Sequence, residues 1–175
     1  IERKILEELK QNILENSKKI QYNAKIIAKI DVFCSHTKVA VENKYTKPTF
    51  SNKNNLVLKE SRHPVVEKLL PFGKEFIPNN IKMDQKNKQI AIITGPNMAG
   101  KSTFLRQVAH TIILAQSGSF VPSKYCELGL VDQLYTRVGA SDNISEGEST
   151  FLVEMNEAAY ILNNATPNSF IILDE

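Results

Sequence analysis

Eight residues from Gly95 to Ser102, GPNMAGKS, place two glycines, a lysine and a hydroxyl at the spacing G-x-x-x-x-G-K-[ST], within the longer stretch IAIITGPNMAGKST. That pattern suits the holding of a polyphosphate. Backbone N–H groups of residues 97–102 can wrap a β-phosphate, Gly95 and Gly100 permit turns that a Cβ would block, and the start of a following helix adds partial positive charge. Lys101 would reach the β- and γ-phosphates, and the Ser102 hydroxyl would ligate Mg²⁺. A second candidate is FIILDE (170–175), an apolar run closed by two carboxylates. Beside a phosphate loop, Asp174 would hold the metal through its water shell and Glu175 would be the general base for the attacking water. Taken alone, such a strand end is a common structural feature; the loop upstream is what gives the pair a role.

These groups need elements to position them. NKQIAIIT (87–94) reads as a strand leading into the loop, followed by a helix from about Lys101 to Gln116 and a strand within LVDQLYTRV (130–138). A polar loop (139–149), a helix (150–165) and the closing strand complete the alternation, which predicts an α/β layer with a largely parallel sheet. Further upstream, LVLKES (56–61) reads as a strand, Pro64, Pro71 and Pro78 punctuate the stretch after it, and the polar stretch 43–55 reads as a linker. Before it, Ile5, Leu9, Ile13, Ile20, Ala24 and Ile27 recur at three- and four-residue steps, continuing through Ile30, Cys34, Thr37 and Val41. Residues 1 to about 43 form one helix of roughly 60 Å, or two with a break near Asp31. The stripe suits an arm or connector, and equally half of a coiled coil or bundle.

With 42% hydrophobic and 23% charged residues, the composition is that of a globular protein, and no apolar run approaches the roughly 20 residues of a membrane helix. The start, IERKILEELKQ, has no apolar core of a secretory signal. Cys34 and Cys126 have no CxxC or His spacing around them, which points to a reducing, cytosolic compartment and to neither being a ligand. The net charge of +3 rests mostly on scattered Lys, which reads as solvated surface and gives only weak support to nucleic-acid contact. A first residue that is Ile and an end on an apolar strand suggest a segment of a longer protein, its last domain incomplete.

Between the two candidate stretches, GASDNISEGEST leads into an amphipathic helix with Phe151, Met155, Ala158, Ala159 and Leu162. A Gly- and Ser-rich helix start in this position is how composite ATPases present a second anion site to a partner subunit's nucleotide. The plainer reading is an N-capped helix, with Ser149 or Thr150 satisfying backbone donors, and the two are compatible.

Together these residues resemble the bacterial mismatch-repair ATPase family MutS. TGPNMAGKSTFLRQ is similar to that family's phosphate loop, GASDNISEGESTFLVEMNEAAYIL to its trans-acting signature loop and helix, and NSFIILDE to its Asp-Glu strand. The likeness continues through SRHPVVE (61–67), FIPNNI (76–81), GSFVP (118–122) and DVFCSHTKVAVENKYTKP (31–48), covering roughly residues 24–175. It implies an ABC-like P-loop NTPase fold with a mainly parallel sheet: residues 1–47 a helical lever arm, and 48–175 the first part of an ATPase domain. It also implies ATP and Mg²⁺ as cofactors, a homodimer, double-stranded DNA carrying mismatches, downstream repair factors such as MutL, and a cytoplasmic, nucleoid-associated setting.

Residue by residue, the resemblance places Phe76 and Ile77 against adenine. Gly95, Pro96, Asn97, Met98, Ala99, Gly100, Lys101, Ser102 and Thr103 fall in the phosphate loop, with Asn97 touching phosphate and metal. Ser102 and Asp174 are the metal ligands, Lys101 and Glu175 are catalytic, and Ser149 is aimed at a partner's γ-phosphate. His63, next to Pro64 in a turn, reads as structural. Leu152 stands where the family usually has Met, and Glu148, awkward beside a γ-phosphate, is expected to point away. A paralogue acting on recombination intermediates would share these motifs, and a DNA-binding or structural piece with an inactive ATPase is the reading from another class.

Overall fold

A computed structural model of the chain describes residues 2–138 and 150–174, and it divides into two compact units, within 1–42 and within 43–175. The first has no Gly or Pro to break it, and α1 (Glu2–Glu42) runs as one 41-residue helix without a break at Asp31. Its stripe residues Ile5, Leu9, Ile13, Ile20 and Ile27 are exposed. The pairs Arg3–Glu7 and Gln11–Glu15, each four residues apart on the exposed surface, add only tenths of a kcal/mol, about 0.3–0.5 per pair.

In the second unit the strands β1 (Thr49–Ser51), β2 (Asn55–Ser61), β3 (Asn79–Asp84) and β4 (Tyr125–Gly129) form one sheet in the order β1-β4-β2-β3. Strand β2 is its antiparallel centre, Leu56 and Leu58 facing Leu128 and Cys126 on one side and Met83 and Ile81 on the other. Only β1 runs parallel to its neighbour, β4. Alternation along β2 sends Leu56 and Leu58 inward, Leu58 to 1% exposure. There they meet Val108, Ile112 and Ala115, which recur at three- and four-residue steps along α3 (Lys101–Gln116), and Val121 completes the same core. Burying one such Leu is worth about 1.5–3 kcal/mol. Helix α3 stops where Gly118 takes φ +85° and its N–H donates to the Ala115 carbonyl at 3.1 Å.

A second, parallel pair joins β5 (Leu134–Val138) to β6 (Phe170–Asp174), Leu134 opposite Phe170 and Val138 opposite Asp174. Leu134 and Phe170 pack against the core under the larger sheet. Side-chain amides tie the two parts together. Gln116, the last residue of α3, exchanges hydrogen bonds with both the N–H and the carbonyl of Val131 at 2.6 and 2.8 Å. Gln85 donates to the Pro167 carbonyl at 2.6 Å, and Asn54 donates to Asn168. Helices α2 (Val66–Leu69) and α4 (Thr150–Asn164) complete the described elements.

The strands at 56–61, 134–138 and 170–174 and the helices at 101–116 and 150–164 follow the sequence reading, while three expectations are corrected. The sheet is not mainly parallel: its larger part is mixed, with β2 antiparallel to both β3 and β4. NKQIAIIT (87–94) forms no strand; Ile90 and Ile92 are 83% and 86% exposed. An apolar run becomes a strand only where a neighbour takes its N–H groups, and among the described residues β5 and β6 pair with each other alone. The front of the segment is used otherwise: Asp84 accepts from the N–H groups of Lys86 and Asn87 at 2.9 and 2.7 Å, and Lys88 bridges back to Asp84. Nor is 43–55 a free linker, since Thr46 and Val121 exchange two backbone hydrogen bonds of 2.9 Å and β1 lies within it.

Candidate functional site

The phosphate-loop candidate turns tightly before α3. Ala99 N–H donates to the Pro96 carbonyl at 3.3 Å, Met98 takes φ +65° and Gly100 φ +89°. Gly100 is the N-cap of α3, so no side chain supplies an acceptor there, and the first helical bond runs from Phe104 N–H to the Gly100 carbonyl at 2.9 Å. The N–H groups of residues 101–103 therefore have no acceptor within the helix, at the end where the helix dipole is positive. Lys101 Nζ lies over the loop, donating to the Gly95 carbonyl at 2.7 Å. Residues 96–103 line a hollow of about 510 Å³.

A cleft of about 820 Å³ adjoins it, with Phe76, Ile77 and Asn79 on one wall and Gly100, Lys101 and Thr103 on the other. Two segments separated by more than twenty residues thus meet at one place. Phe76 is half-buried and Ile77 exposed. Asn79 Nδ2 donates to the Ile77 carbonyl at 3.3 Å and to Gln107 Oε1 on α3 at 3.1 Å. Gln107 is fully buried, and its Nε2 has no hydrogen-bond partner among the described residues. A buried donor left unpaired costs about 1–3 kcal/mol. Sequence reading passed over Asn79 and Gln107; the polar Gln on the buried stripe of α3, one turn beyond Thr103, was the available signal.

Asp174 closes β6, buried to 8% exposure, and lines neither hollow. Ser149, Glu148 and Glu175 lie outside the described residues. The elements flanking residues 139–149 are tied to each other: Arg137 on β5 pairs with Glu154 and, at 3.5 Å, with Glu157, both on α4. On α4, Leu152, Met155 and Leu162 are exposed and Ile161 is buried.

His63 is structural, as its sequence context suggested. Its Nδ1 accepts from the N–H groups of Val65 and Val66, both at 3.2 Å, and its ring meets His110 edge-on at 5.1 Å. Burial, then the charges of His110 and Arg106, hold its pKa below the usual histidine value. Nearby, Arg62 pairs with Glu67 at 3.1 Å, and burial pushes the Glu67 carboxyl above its ordinary range against the pull of Arg62. Burial also pushes the Cys126 thiol up to about 12.

The fold and site define a mixed α/β unit in which a glycine-capped helix start borders a cleft, and residues 91–175 of it match the family model described as MutS domain V. The chain belongs to the MutS family. Over 175 residues it is 50% identical to the DNA mismatch repair protein MutS of Salinibacter ruber and 51% identical to that of Flavobacterium johnsoniae, covering 100% of this chain. Over 156 residues, 89% of the chain, it is 53% identical to the MutS of Cytophaga hutchinsonii. The chain spans 18–20% of the length of these relatives.

Proposed function

We propose that this chain carries the ATP-binding part of a mismatch-repair ATPase, with a P-loop NTPase core in residues 48–175 and a lever arm in 1–47. The observation that carries the reading is the start of α3, where Gly100 brings no side-chain acceptor and the spare N–H groups border the cleft that Phe76 and Ile77 share. An anion fits such a helix end without further donors. Residues 97–102 would cradle the β-phosphate, and Lys101, released from the Gly95 carbonyl, would pair with the β- and γ-phosphates. Adenine would rest on Phe76 and Ile77. The Ser102 hydroxyl and the Asp174 carboxylate are hard oxygen donors of the kind Mg²⁺ takes, and the metal would neutralise developing phosphate charge. Glu175 would take the proton of the attacking water, and Ser149 of one subunit would reach the γ-phosphate held by the other.

In the longer protein, ATP binding and hydrolysis would drive changes of a dimeric clamp on mismatched double-stranded DNA and signal to partners such as MutL. Titration of the chain with ATP in the presence and absence of Mg²⁺, beside Lys101→Ala, tests the reading. Mg²⁺-dependent binding that the substitution removes is expected; equal affinity in the two proteins would overturn it.

A further inference from the structure

We propose that Asn79 and Gln107 are a positioning pair that sets the separation between the base-binding wall of the cleft and the phosphate loop. The inference rests on the nucleotide-site reading above. The two walls come from different parts of the chain, and each is locally complete: Phe76 and Ile77 on one side, Gly100 to Thr103 on the other. Among the described hydrogen bonds, Asn79 Nδ2 to Gln107 Oε1 at 3.1 Å is the one that joins residues 76–79 to α3. The same nitrogen reaches the Ile77 carbonyl at 3.3 Å, so one amide grips both the base wall and the helix. Two acceptors on one side also settle its orientation, since the reverse placement would set Oδ1 against the Ile77 carbonyl.

Gln107 sits one turn beyond Thr103 and Phe104 on the same face of α3, and it is fully buried. For stability alone an apolar side chain would serve better there, because among the described residues the Gln leaves Nε2 unpaired. What the Gln supplies is an acceptor at a set height along the helix that carries the loop. A nucleotide spans both walls through a ribose of set length, so its affinity depends on their separation. A polyphosphate without a base touches the loop only. Losing the pair leaves both walls present and their spacing loose, which penalises the ligand that bridges them.

The test measures binding of Mg²⁺-ATP and of Mg²⁺-tripolyphosphate to the full chain by calorimetry, for the parent protein, Asn79→Ala, Gln107→Leu and the double variant, each with a thermal melt. ATP should bind about five- to tenfold more weakly in all three variants, the double no worse than either single, as expected for loss of one shared hydrogen bond. Tripolyphosphate affinity should stay within about twofold, and Gln107→Leu should melt at or above the parent temperature. Parallel losses on both ligands would assign the pair a merely structural role and overturn the proposal, as would unchanged ATP affinity in both single variants. If Gln107→Leu fails to fold, Asn79→Ala, on the partly exposed wall, carries the comparison. A parent chain that binds neither ligand, or Lys101→Ala binding tripolyphosphate undiminished, would instead remove the nucleotide-site reading itself, and this one with it.

Discussion

Individual side chains here show how little charge alone decides. Lys101 is the one cation placed over the loop among the described residues, and it is held by a backbone carbonyl rather than a carboxylate, so a phosphate can displace that partner at small cost. If Glu175 is the general base proposed above, Glu175→Gln in the longer protein should retain ATP binding and slow hydrolysis about 10²- to 10⁴-fold; steady-state turnover beside nucleotide binding measures it. His63 gives a pH dependence of stability. Its pKa is lowered in the fold, so below the ordinary histidine value of about 6.5 the unfolded chain takes up the proton first. The contribution is therefore present above that pH and lost as pH falls through the window beneath it. Urea unfolding at pH 7.5 and 5.5 should show a smaller difference for His63→Asn, which keeps an acceptor for the Val65 and Val66 N–H groups. The buried Cys126 thiol, raised to about 12, should resist thiol reagents at pH 8 while exposed Cys34 reacts. One thiol should titrate in the native chain and two after denaturation.

Among the elements, glycines mark where the backbone leaves no choice. A Cβ on Gly129 would lie 2.3 Å from the Lys53 carbonyl oxygen and 2.9 Å from Asn54 Cα, both main-chain atoms that no rotamer change can move aside. Gly129→Ala should cost about 1–3 kcal/mol in urea unfolding by forcing the end of β4 away from the chain before β2. Gly100 is different: a Cβ there would meet nothing within 4 Å, but φ is +89°. Its replacement by Ala should cost about 1 kcal/mol through conformation alone, and should perturb the spare N–H groups at the start of α3 as well. The ion pairs from Arg137 to Glu154 and Glu157 tie β5 to α4 through one guanidinium.

Over the whole molecule, burial is concentrated where β2 and β4 meet α3, and this should order the local stabilities. Hydrogen exchange should be slowest in the amides of β2 and the core-facing turns of α3, and fast in residues 90–94, which join no ladder. Amides of α1, whose apolar stripe is exposed, should exchange faster than those of β2. Protection of 90–94 equal to that of β2 would mean that this segment pairs as a strand in solution.

The α1 periodicity, uninterrupted by Gly or Pro, the alternation in LVLKES and the spacing from Gly95 to Ser102 were each legible in the sequence, because each is a local rule: a helical stripe, a period of two, a turn whose positive φ at residue 100 favours glycine. The same rules misread NKQIAIIT, whose apolar run looks like a strand but, among the described residues, pairs with no neighbouring strand. They also missed β3 and β4, whose edges are supplied by β2 across distant parts of the chain. At the candidate site the loop could be found by pattern, whereas the meeting of Phe76 and Ile77 with Gly100 and Lys101, and the amide contact between Asn79 and Gln107, could not. Strand pairing and the closing of a cleft are contacts between remote segments, and it is the packing of the whole core that decides which of them form.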